Sequence, residues 1–299
     1  MVLGIVVAIV AAIIVLHYDF PEVTMMSSIV YSWISPLLTT AVIGTFVAAV
    51  TGTFLGAYGA QLVISRANER TDLFREIASE NAAGMIAVAI CNSLLAMKRQ
   101  HIKALRDNYR QRKTAFEAFQ QQLGAGQLQP GARFQLETDF ETLDPVEFPT
   151  SMLQSEIFEK TNLVGRPLSM TIALAQVIHS LNGVLAKRNT LIADVAKADL
   201  SGHTLASFYF GLPTPEGHRD MTYPMIIDAI ASYTDDAIHF SHLIAQDVLA
   251  EARAKLGVFE KRFKRPRPKV ASADFSKVKD LFPDPKLYAD WEAAFPKGP

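Results

Sequence analysis

Asp228, Asp235, Asp236, His239 and His242 lie close together in one stretch whose apolar residues repeat at helical spacing. Spacings of three, four and seven put Asp228, Asp235, His239 and His242 on one helix face, as carboxylate and imidazole ligands of a metal ion require. His239, His242 and Asp235 are the candidate ligands. Ile226, Ile230, Ala237, Ile244 and Val248 form the apolar stripe of the same stretch. At about 100° per residue the polar face is centred roughly opposite that stripe. A metal site in a bundle core needs inward ligands, so the residues read as a solvated face. The other helical stretches offer no pair of Glu-x-x-His segments, which leaves a di-iron carboxylate site without half its ligands. No metal and no cofactor is expected.

The remaining chemistry-bearing residues are scattered. His179 sits among Ile178, Leu181 and Val184 and reads as a core or boundary histidine. His203 and His218 share a Gly- and Pro-rich stretch with Asp220. Cys91 is the one cysteine and lies in an apolar run, where it reads as a small apolar filler. A Walker A sequence, a Gly-rich dinucleotide fingerprint, His-Glu-x-x-His and Gly-x-Ser-x-Gly are all absent. Nothing in the sequence argues for an enzyme.

One charge run stands out. Lys261, Arg262, Lys264, Arg265, Arg267 and Lys269 fall within nine residues, with two prolines. Such a run grips anionic lipid, nucleic acid or an acidic protein. The chain as a whole balances 29 Lys and Arg against 30 Asp and Glu, for a net charge of −1, which gives nucleic acid no support. The expected helix before the run would end about 50 Å from its membrane-proximal start, far beyond a Debye length of about 8 Å, which counts against lipid. Arg106, Arg110, Arg112 and Lys113 are expected in the same distal region. An acidic stretch, Glu137, Asp139, Glu141, Asp144 and Glu147, would partly neutralise them, or an acidic cytosolic partner would.

The elements that position these residues begin in lipid. Residues 1–64 carry only Asp19 and Glu22 as formal charges. Residues 2–16 form a short apolar span, and residues 36–64 are long enough to cross with a tilt. Tyr31 and Trp33 precede the second span, where amphipathic aromatics favour the interface. The connector between the spans has no Lys or Arg, while Arg66, Arg70 and Arg75 follow the second. The positive-inside rule then places both the N-terminus and the large domain in the cytoplasm, at a bacterial inner membrane. Gly44, Ala48, Gly52, Gly56 and Ala60 recur every four residues along the second span, and Gly4, Ala8 and Ala12 along the first. Small residues let helix backbones approach closely in lipid. The two stripes can pair within one chain as a hairpin, or the longer one can join copies of the chain.

No proline occurs between Pro36 and Pro130. The second span can therefore continue as helix through Gln122, with any break near Gly84. Leu73, Ile77, Ile86, Ile90, Leu94 and Met97 mark its apolar face, and residues 82–97 read as a buried bundle helix rather than a third span. Residues 123–150 form an irregular or β-hairpin insertion. Residues 151–200 are helical, interrupted at Gly165-Arg166-Pro167. Leu168, Ile172, Ala175, Ile178, Leu181, Leu185 and Ile192 mark the apolar face there. Residues 201–224 read as a loop, and residues 225–259 as a last long helix. The first helix would leave the membrane, the second return and the third leave again. Phe208, Tyr209, Phe210 and Leu212 would then touch lipid or pack under the bundle end. The aromatics of residues 270–299 would wrap on the bundle or on a neighbouring subunit.

The expected fold is thus an all-α membrane protein with three parts: a transmembrane hairpin (1–64), a cytoplasmic bundle of antiparallel long helices (65–260) and a basic, then aromatic tail (261–299). The expected role is a non-enzymatic, self-associating membrane scaffold or adaptor. Oligomeric spans that permeabilise the bilayer are the alternative, and a metal-dependent enzyme at the His239 face is a third.

Overall fold

A computed structural model describes residues 40–129, 131–198, 200, 202–213, 217–263 and 268–295. The expected first span, with Gly4, Ala8 and Ala12, lies outside the described residues, as do the connector and the start of the second span. The chain divides into two compact units, Met1–Glu69 and Arg70–Pro299.

Every regular element among the described residues is helical. Helix α1 spans Thr40–Met97, a π turn covers Lys98–Ile102, and α2 spans Lys103–Gly124. The proline-free sequence allows this run, and Gly84 does not interrupt it. A Cβ at Gly84 would come within 2.5 Å of Leu249, so glycine there permits close packing rather than a break. The departure from α geometry comes later and has a sequence cause. Buried residues follow at Leu94, Met97, Ile102, Leu105 and Tyr109, with one gap of five. A π turn bonds i to i+5, so it absorbs the additional residue and keeps the buried stripe aligned.

The later elements are α3 (Thr150–Lys160), α4 (Arg166–Ala198), α5 (Gly202–Phe210), α6 (Thr222–Phe263) and α7 (Ala289–Ala294), with 3-10 turns at Ser276–Leu281 and Pro285–Tyr288. Pro167 sits in the first turn of α4, where its missing N–H costs nothing. The expected 201–224 loop contains a helix, α5. Gly202 and Gly211, at φ +56° and +68°, bracket it, and its eight intervening residues contain neither Gly nor Pro. The glycines were boundary marks, not evidence of a loop throughout.

Residues 131–149 take the irregular form, with no strand among the described residues. Two asparagines of α4 hold this segment as a neighbouring strand would. The Asn189 amide accepts from the Leu143 N–H at 3.1 Å and donates to the Leu143 carbonyl at 2.8 Å. Asn182 does the same for Val146, at 3.1 and 3.0 Å. Seven helical residues advance about 10.5 Å and three extended residues about 10 Å, so the two registers match. The segment runs opposite to α4.

The direction of the long helices differs from expectation. Contacts pair Glu76 and Glu80 with Lys255, Gly84 with Leu249, Cys91 with Ile238 and Lys98 with Asp235. Helix α6 therefore runs antiparallel to α1, where parallel was expected. Arg166 meets Asp247, and Asn162 meets Glu76, so α4 runs with α1. The irregular segment makes the return leg that a helix was expected to make.

The main core of the second unit joins α1, α3, α4 and α6 through residues such as Ile90, Leu94, Leu153, Leu174, Leu181, Ile230 and Val248. A smaller core gathers Leu105, Tyr109, Phe116, Tyr209, Phe210, Tyr223 and Ile227. Tyr209 and Phe210 are buried there against Tyr109, so these aromatics pack inside the unit. Ile172, assigned to the apolar face of α4, is exposed, and so is His179, which reads as a core or boundary histidine in the sequence. That face instead follows Met170, Leu174, Ile178, Leu181, Leu185 and Arg188. Cys91 is buried as expected, and burial pushes its thiol up to about 12.

In the first unit, α1 exposes Val50, Phe54, Leu55, Tyr58, Leu62, Val63 and Ile64. Two helices among the described residues are long and apolar enough to cross a membrane, Ala48–Gly124 and Arg166–Ala198. The second of these packs extensively on α6.

Candidate functional site

The polar face of α6 is not a solvated face. The tail covers most of it, and the cover explains why polar residues are tolerated there. Asp228 is exposed, but His239 is buried and Asp235, Asp236 and His242 are partly buried. Tyr288 stacks on the His239 ring, with centroids 3.7 Å apart and planes at 9°. Its hydroxyl donates to Asp236 at 2.8 Å. Phe275 and Phe282 meet the His242 ring edge to face. Trp291 packs on Phe240 at 4.8 Å. At the start of the tail, the Ala271 N–H donates to Asn81 at 2.7 Å and its carbonyl accepts from Arg253 at 2.7 Å. The aromatic tail thus docks on the chain's own helices.

These contacts set the electrostatics. Burial, with His242 and Arg166 adding to it, pulls the His239 imidazole down to about 4. Burial also lowers His242. Both rings are therefore neutral near neutral pH. Burial raises the Asp236 carboxyl, the Tyr288 hydrogen bond opposes the shift, and the Asp235 charge adds to it. Asp235 is taken up by Lys98 at 2.5 Å, and Lys98 also donates to the Leu281 carbonyl at 2.7 Å. Among the described residues no three His, Cys, Asp or Glu side chains are placed to hold a metal ion. The candidate residues His239, His242 and Asp235 make tail-docking contacts.

The other predicted residues are dispersed. His203 pairs with Ser207 at 3.2 Å, while Asp220 accepts from the Thr222 N–H at 2.9 Å. Lys261, Arg262 and Lys269 are exposed; Lys264, Arg265 and Arg267 lie outside the described residues. Among the described residues, no ion pair joins Glu137, Asp139, Glu141, Asp144 or Glu147 to the basic residues of α2 or of the 261–269 run. The antiparallel course of α6 also separates those two basic sets: Arg106 and Arg110 share the Asp235 end of α6, while Phe259 packs on Phe74 at the other end. In the first unit, a Cβ on Gly52, Gly56 or Gly59 would meet no described atom within 4 Å.

Sequence reasoning missed the buried ionic groups. Arg166 clamps Asp247 through two hydrogen bonds of 2.7 Å, and Glu292 of the tail lies 3.9 Å from the same guanidinium. Lys255 bonds both Glu76 and Glu80, with Glu251 at 3.7 Å. Arg188 is fully buried and donates to the Glu141 carbonyl at 2.6 Å and the Asp139 carbonyl at 2.8 Å. Apart from Glu251, four residues before Lys255, the partners lie far away in sequence, so no local spacing announces them. A cavity of about 200 Å³ beside the π turn is lined by residues including Lys98, Arg106, Arg110 and Asp235. It is large enough for water or a small anion.

Glu80 gives a pH signature. Burial raises its carboxyl to about 7, against the opposing pull of Lys255 and with Glu76 and Glu251 adding to the rise. The folded state then keeps a proton that the unfolded chain releases above about 4.5. Stability from this group is full below that value and is lost as pH rises to about 7. Glu80→Gln removes the titration. Its thermal midpoint should gain on the parent protein between about pH 5 and about pH 8. An equal difference at both pH values would show that Glu80 does not titrate in this range.

Compared with known proteins, the chain matches no family model, no curated protein and no solved structure.

Proposed function

We propose that the protein is a non-enzymatic, membrane-anchored helical scaffold that self-associates through the stripe Gly44, Ala48, Gly52, Gly56 and Ala60. One observation carries this reading. Along α1, Gly52 and Gly56 of the stripe face open space, while large apolar neighbours are exposed, Phe54 at 74% and Val63 at 69%. Contiguous exposed apolar surface marks a membrane or protein contact. Glycines every fourth residue provide the flat strip along which helix backbones meet in lipid. The second unit supports a scaffold over an enzyme, because buried polar groups such as Arg166, Arg188 and Lys255 fasten separate segments together. The bilayer supplies the solvent for the exposed face, and a second copy supplies the partner for the stripe.

The test is the subunit count of the full-length protein in mild detergent, by light scattering with the detergent mass subtracted. A defined oligomer is expected, and Gly52→Leu/Gly56→Leu should shift it to monomer. A monomeric parent protein would remove self-association from the reading.

A further inference from the structure

We propose that the cavity beside the π turn binds a phosphate group, as inorganic phosphate or a phosphate monoester, through Arg106 and Arg110. All of its walls belong to the second unit: the π turn with α2, Ala231 and Asp235 of α6, and Asp280 and Leu281 of the tail. Its volume is about 200 Å³. A liquid water takes up about 30 Å³, so a phosphate group fits with water beside it.

The π turn gathers the positive charge. Residues five apart on an α-helix point about 140° away from one another. Here the Lys103 N–H bonds to the Lys98 carbonyl, the i to i+5 closure of a π turn, and both lysines line the cavity. Arg106 and Arg110 follow Lys103 at spacings of three and four, so α2 continues the same face. Part of this charge is already matched. Lys98 is taken by Asp235 and the Leu281 carbonyl, and Lys103 by Asp107. The remaining charges of the wall are Arg106 and Arg110 against Asp280. Among the described residues no ion pair joins either arginine to a carboxylate. The Nε of Arg106 is buried and has no hydrogen-bond partner among the described residues. Buried donors are normally paired, because an unpaired one keeps the full cost of its lost hydration. A guanidinium offers its donors as a planar fork that matches the oxygens of phosphate, and a second one a turn away reaches the same group. The wall's positive excess attracts a ligand in proportion to the ligand's charge, which favours a phosphate dianion over a carboxylate.

The test is calorimetric titration of the full-length protein in mild detergent with inorganic phosphate, at constant ionic strength set with chloride. One site per chain is expected, and acetate should bind at least about tenfold more weakly. Arg106→Gln/Arg110→Gln should weaken phosphate binding at least about tenfold. Arg99→Gln/Arg133→Gln removes the same charge from exposed positions outside the cavity and should change it less than about twofold. Asp280→Asn should strengthen binding about threefold, a gain that misfolding does not produce. Glycerol phosphate separates the two sources: binding as tight as that of inorganic phosphate assigns the site to a monoester, and binding about tenfold weaker assigns it to the free ion. The proposal is overturned by the absence of saturable phosphate binding, by acetate binding as tightly as phosphate, or by equal losses in the two double variants.

Discussion

Arg166→Met should lower the unfolding free energy by about 3–5 kcal/mol, the largest effect expected of any single change in the second unit. The side chains of Arg166 and Asp247 are only 6% and 8% exposed. The guanidinium meets both carboxylate oxygens, so each charge is compensated by a fork-to-fork pair. Removing the arginine takes the fork-to-fork counter-charge from Asp247 in a low-dielectric site, and that loss carries most of the cost. The pair as a whole is a different matter, because well-packed apolar replacements for both partners are often neutral. Arg166→Met/Asp247→Leu should therefore be clearly more stable than Arg166→Met alone. Urea unfolding in detergent, read on the second unit's helical signal, gives both numbers. A double variant as unstable as the single would mean that the geometry of the pair, not the loss of Asp247's counter-charge, holds the helices. Arg166 also lies near Glu292, so the single variant should loosen the tail as well.

The second large effect is expected at Arg188. Its guanidinium is buried and bonded to two backbone carbonyls, Asp139 and Glu141, at a helix position where sequence patterns expect an apolar residue. Hydrogen bonds to a charged donor contribute about 1.5–3 kcal/mol each, and burying an unpaired charge pulls the other way. The net cost of Arg188→Met should be about 2–4 kcal/mol. The change should act locally first, because residues 131–149 depend on α4 for their backbone partners. Protease cleavage within that segment should accelerate before global unfolding moves. Arg188→Lys should recover only part of the loss, since an ammonium is a point charge and does not span two carbonyls as a planar fork does. Global destabilisation with no added cleavage in 131–149 would show that Arg188 acts through core packing instead.

How much of this was legible in the sequence depended on distance along the chain. The run without proline gave α1 and α2 within two residues of the observed end at Gly124. The 3.6-residue period located α6, whose Ile226, Ile230, Ala237, Ile244 and Val248 are all buried. Those signals are local, and local physics produces them. Two misreadings came from treating a local signal as complete. Gly202 and Gly211 delimit α5, yet their density suggested a loop through it. The polar face of α6 looked solvated because its cover, Phe275, Phe282 and Tyr288, arrives some 35–50 residues later. The aromatic tail did carry a usable hint: so many rings need a surface to bury against. Helix direction was not legible at all. It was set by an extended segment whose register rests on Asn182 and Asn189, residues that periodicity treats as ordinary polar positions.

The pairing of α1 with α6 also fixes an order in time. Cys91 meets Ile238, 147 residues farther along, and Asn81 meets Ala271, 190 residues farther along. At a synthesis rate of about 5–20 residues per second, α1 waits roughly 7–30 s for the middle of α6 to be made. During that interval the apolar face around Ala83, Ile90 and Leu94 has no native cover from α6. The helix that contains it is long and apolar enough to cross a bilayer. The nascent chain is thus most exposed to aggregation before α6 emerges.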